Sequence, residues 1–175
     1  MGTQVGSYRL IGYENRLLRA EDFKDDTKDA GEIGAGHTVT ALYELVPPNK
    51  AQEETQVDPL KYQTDRQLTI DAVTDELMTV KLRYKELDGN ISKELALVIR
   101  DSFYTLYETS NDFRFAASVA AFGMLLRDSP HKGQTSYEGI IQMASDSISV
   151  DPYEHRSNFL ELVQKAQSLN GERIH

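Results

Sequence analysis

The hydrophobic pattern of this chain changes its period once, near residue 108, and this change constrains the fold more than any other feature. Before residue 108, apolar residues recur at every second position, and after it they recur at spacings of three and four. A period of two is typical of half-buried strands, and the longer period is typical of amphipathic helices. We therefore expect an α+β fold: an antiparallel β-sheet or small β-sandwich, followed by a C-terminal three-helix unit packed on it.

The same change predicts how the chain is divided. Residues 1–107 should form an antiparallel β region, with a long loop at 46–72 that opens at Pro47 and Pro48, since proline has no N–H to donate to a strand. Residues 108–175 should form a helical region that shares one core with the sheet.

Two of the predicted strands lie in the first 45 residues. The stretch "YRLIGY" (8–13) is apolar and aromatic, and "HTVTALYEL" (37–45) alternates. The alternation predicts a half-buried strand over 37–45. Its buried face would carry Val39, Ala41, Tyr43 and Leu45.

A hairpin is the strongest local prediction in the β region. Residues 76–86 and 92–101 both alternate, and Asp88 and Gly89 between them form a favoured hairpin turn. We expect one apolar face and one solvent-facing side. The apolar face would carry Met78, Val80, Leu82, Tyr84, Leu95, Leu97 and Ile99.

Three helices are predicted after residue 108, each with its own start signal. The signals are Ser110 or Asn111 for 110–130, Thr135 with Glu138 for 135–147, and Asp151 with Pro152 for 151–171. The predicted apolar stripes are Phe115, Val119, Phe122 and Leu126 in the first helix, and Leu160, Val163 and Ala166 in the third.

Composition excludes several classes of function. The chain has 28 acidic and 19 basic residues and a net charge of -9, which argues against nucleic acid or an anionic membrane as a partner. It has no cysteine, so disulfides and thiolate catalysis are excluded. No apolar run approaches the ~20 residues of a membrane span, and no signal peptide is visible.

The stretch "GEIGAGHT" (31–38) resembles a phosphate-binding loop, with Gly31, Gly36 and Thr38 at three of its four fixed positions. His37 stands where the lysine should be. The preceding segment is acidic, and a strand rather than a helix is expected to follow. We interpret Gly31, Gly34 and Gly36 as a structural turn.

The glycine turn also suggests an alternative, because glycines around a histidine often mark backbone that approaches a ligand. In this interpretation Asp29, Glu32 and His37 would belong to a ligand-binding or hydrolytic site between the sheet and the helices. No residue is assigned a catalytic role.

Three patterns in the sequence could bind a metal ion, but none fits well enough to assign a metal site. No cofactor is predicted. The acidic stretch could bind calcium, but it does not fit an EF-hand loop and is interrupted by Lys24 and Lys28. The histidines have no helical metal spacing. Asp146, Ser147 and Ser149 miss the D-x-S-x-S spacing of a type A adhesion site. The acidic residues are Glu21, Asp22, Asp25, Asp26, Asp29 and Glu32, and the histidines are His37, His131, His155 and His175.

The order of segments resembles the C-terminal domain of bacterial von Willebrand factor type A proteins, a family of unknown function. The resemblance runs from about residue 8 to 169, and "IGYENR" and "DAGEIGAGHTVTALYE" are its most specific blocks. It implies a longer parent protein, exported and attached to the bacterial envelope, in which a type A domain precedes this one. It implies no catalytic activity. "MGTQVGS" is a poor replacement for the strand that the family has before "YRLIGYENR", so we expect this chain to begin partway through such a parent.

Together these points favour a non-enzymatic interaction or structural module over an enzyme. The expected partners are the neighbouring type A domain or another protein, with no nucleic acid and no membrane span in this chain.

Overall fold

A computed structural model describes residues 4–13, 19, 21–28, 34, 36–48, 74–86, 89 and 91–171. The chain divides into two compact units, Met1–Ser102 and Phe103–His175. Among the described residues, the first unit contains two small antiparallel sheets and the second three α-helices, so the predicted α+β class is confirmed. The shared core of sheet and helices stays a prediction, and most of the predicted loop at 46–72 lies outside the described residues.

The first sheet pairs β1 (Ser7–Ile11) with β2 (Leu42–Val46). The strands are antiparallel, and their register runs from Ser7 opposite Val46 to Ile11 opposite Leu42. Arg9 and Glu44 form an ion pair across the strands. The other side of the sheet carries Tyr8, Leu10, Tyr43 and Leu45.

The predicted strand over 37–45 is wrong in its first half, since β2 begins only at Leu42. The reason is that β1 ends at Ile11, and the next two residues, Gly12 and Tyr13, have positive φ angles of 77° and 58°. No residue of β1 is therefore opposite residues 37–41. Val39, predicted to be half-buried, is 59% exposed.

The second sheet is the predicted hairpin of β3 (Glu76–Tyr84) and β4 (Lys93–Arg100). The register confirms the predicted alternation, because Met78 lies opposite Ile99, Val80 opposite Leu97 and Leu82 opposite Leu95. At the turn, the Gly89 amide donates to the Glu86 carbonyl at 2.9 Å, while Asp88 lies outside the described residues.

The hairpin differs from its prediction in exposure. Only one side was expected to face solvent, but side chains on the apolar face are exposed as well: Leu82 to 54%, Leu95 to 56% and Leu97 to 63%. Alternation identifies which residues share a face, but it does not supply the element that covers that face.

The helical unit contains α1 (Asn111–Leu126), α2 (Tyr137–Ser145) and α3 (His155–Gly171). One residue from each helix forms the centre of its core: Phe122, Ile140 and Val163 are 5%, 1% and 0% exposed. Phe159 packs edge-on against Phe122, with the ring centroids 5.7 Å apart.

The apolar stripe of α1 is rotated from its predicted position. Phe122 is buried as expected, but Val119 and Leu126 are 43% and 57% exposed, and Ser118 is buried instead. A serine can lie there because its hydroxyl donates to the Phe115 carbonyl at 2.7 Å.

The observed N-cap residues agree with the prediction for α1 and differ from it for α2. Ser110 caps α1 as expected, accepting a hydrogen bond from the Phe113 amide. The cap of α2 is Ser136 rather than Thr135, since Ser136 accepts from the Gly139 amide. The observed cap of α2 is one residue after the predicted one, and the helix lies where it was predicted.

Asp151 caps α3 from farther away than predicted. Its carboxylate accepts the amides of Arg156 and Ser157, both at 3.0 Å. Pro152 was predicted in the first turn but precedes a helix that begins at His155. The turn between them holds Glu154 at a φ of 57°. The backbone amide of Ser157 is the largest of the contacts that lower the pKa of Asp151.

Replacing Ile140 with alanine should remove the largest of the fully buried side chains in the helical core. We expect a loss of about 2–5 kcal/mol in the free energy of unfolding, because the surrounding helices collapse only partly into the cavity. Urea unfolding followed by circular dichroism would measure it. Val150→Ala, at a residue 89% exposed, should leave the midpoint unchanged, and similar losses in both variants would contradict this core.

Candidate functional site

The glycine segment forms a tight turn around His37. The His37 amide donates to the Gly34 carbonyl at 3.1 Å, and Gly36 between them has a φ of 78°. A Cβ on Gly34 would lie 3.0 Å from the His37 Nδ1 atom, so the imidazole folds back over this glycine. Residues 37–41 are irregular, and no helix begins at Thr38.

This turn does not present a phosphate-binding helix end, because the segment after it leads into strand β2. The other predicted members of the site, Asp29, Gly31 and Glu32, lie outside the described residues. The described part of the proposed ligand site is therefore one exposed histidine above a glycine turn.

A polar cluster lies where the acidic segment meets the hairpin, and we call it the Asp26 cluster; it comprises Phe23, Asp26, Arg83, Lys85 and Ser92. Arg83 donates to the Phe23 carbonyl at 2.7 Å and to the Asp26 carboxylate at 3.0 Å. It also donates to the Ser92 hydroxyl, which in turn donates to Asp26. Lys85 donates to the Asp26 carbonyl at 2.6 Å. Two cations and a serine thus attach residues 23–26 to the ends of β3 and β4.

The chemistry of this cluster suits attachment better than catalysis. The hydrogen bond from the Ser92 hydroxyl lowers the pKa of Asp26 below its usual 3.8, and Arg83 and Lys85 act in the same direction. A general base works best with a pKa near the working pH. Asp26 is therefore a poor base for activating Ser92, and its charge instead holds Arg83 in place.

Neighbouring carboxylates in the acidic segment also have local partners. Asp25 accepts hydrogen bonds from the amide and hydroxyl of Thr27, at 2.9 and 2.6 Å. Asp22 lies 3.8 Å from the Lys28 ammonium. Within the described ranges, no group of three or more histidine and acidic side chains is arranged to hold a metal ion.

The remaining sequence candidates lie apart from one another in the helical unit. His155 stacks on Tyr153, with the ring centroids 5.9 Å apart. His175 lies outside the described residues. The hydroxyl of Ser147, in the rejected D-x-S-x-S comparison, donates to the Met143 and Ala144 carbonyls, and Asp146 accepts from Gln142.

A shallow groove of about 310 Å³ lies among the described residues of the first unit. Tyr8 and Tyr43 from the first sheet and Met78 to Lys81 from β3 line it. It contains two tyrosine rings and one ammonium group but no paired acid and base.

Sequence reasoning missed the Asp26 cluster because Asp26 is 57 residues from Arg83 and 66 residues from Ser92. One signal was available: Lys81, Arg83 and Lys85 form a basic row on a strand of an acidic chain, and residues 21–32 are the acidic stretch. Opposite charges of this kind favour contact, but the register that brings Ser92 to Asp26 is a tertiary feature.

Fold and cluster together define a small α+β module in which polar side chains attach an acidic loop to a hairpin. The chain belongs to the family described as "Uncharacterized protein YfbK, C-terminal", whose sequence model matches residues 2–169. It is 39% identical over 165 residues to "Uncharacterized protein YfbK" of Escherichia coli (strain K12). That match covers 94% of this chain but only 28% of the relative's length. No solved structure matches the chain, and none of the described helices has the length and apolar character of a membrane span.

The lowered pKa of Asp26 predicts how the tether depends on pH. Its stabilising contribution should be fully present above the unfolded value near 3.8 and be lost as pH falls through the lower folded value. Asp26→Asn should destabilise the first unit at pH 6 and show a smaller further loss on acidification than wild type. Urea midpoints at pH 6 and pH 3 would measure both effects. Asp22→Asn, in the same acidic segment, is the matched control, and an equal pH dependence in all three proteins would contradict the role of Asp26.

Proposed function

We propose that this chain is a non-catalytic interaction module that packs against, or presents, a von Willebrand factor type A domain within a longer bacterial envelope protein. The observation that supports this most is the open edge of β1. In the described residues, β1 has β2 on one side and no strand on the other. An unpaired edge displays a row of N–H and C=O groups that a further strand can satisfy.

The length of the relative gives independent support. A chain of this kind corresponds to 28% of the Escherichia coli protein, so in that protein the matched region is joined to a much longer polypeptide. A partner strand from that polypeptide would be present at high effective concentration.

The alternative, a ligand-binding or hydrolytic site around Glu32 and His37, has less support. The His37 ring folds over Gly34 rather than facing a described acid. One serine and carboxylate that meet, Ser92 and Asp26, form a tether with an arginine. An activated nucleophile requires a base that can accept its proton, which this arrangement disfavours.

The Escherichia coli relative offers a direct test. We expect its matched region to melt at a higher temperature within the full-length protein than alone, because the β1 edge would then be paired. Hydrogen exchange should be slower there for peptides that correspond to β1. Melting temperatures and exchange rates that are equal in the two settings would contradict the proposal.

The identity of the partner is tested by a second deletion. Removing only the type A domain should reproduce the loss of protection at β1 if that domain supplies the contact. Protection that survives this deletion would assign the contact to another part of the protein and contradict the type A assignment.

A further inference from the structure

We draw no further inference here: the strongest candidate, the exposed apolar face of the β3–β4 hairpin around Leu82, Leu95 and Leu97, supports none, because nothing in the described residues shows what covers it.

Discussion

The structure of the first unit depends on one constraint: a two-stranded sheet cannot cover its own apolar face or pair its own outer edges. β1–β2 and β3–β4 both have this form in the described part of the chain. The exposed leucines of the hairpin and the open edge of β1 are two consequences of the same constraint. The helical unit is different, because its three helices bury Phe122, Ile140 and Val163 against one another.

Arg83 joins the acidic segment to the hairpin through several polar contacts. Its guanidinium reaches a backbone carbonyl, a carboxylate and a hydroxyl, and it lies 5.9 Å from the centre of the Phe23 ring. A planar fork with five donors can make this set of contacts at once, whereas lysine cannot. Residues 23–26 of the acidic segment are thereby attached to the hairpin.

The sequence correctly predicted the features that follow from the hydrophobic period. It failed for the features that tertiary contacts determine. The α+β class, the hairpin register and the three helices follow from spacing alone, and all are observed. The exact strand start at Leu42 depended on where β1 ends. The rotation of the α1 stripe towards Ser118 depended on which face of α1 the other helices cover, and the Phe115 carbonyl satisfies the hydroxyl that this buries. The Asp26 cluster required a pairing across about 60 residues, which no local pattern encodes.

In the described residues, several polar side chains have partners while apolar side chains of the hairpin face solvent. Carboxylates and a hydroxyl that the sequence analysis named have partners nearby: Asp26 with Ser92, Asp25 with Thr27, and Ser147 with helix carbonyls. Apolar side chains of the hairpin are left in water, which costs free energy unless something covers them. An active site usually shows the reverse, with perturbed titratable groups held in a dry pocket. The function proposed above accounts for this difference, because an interaction module is completed by another polypeptide.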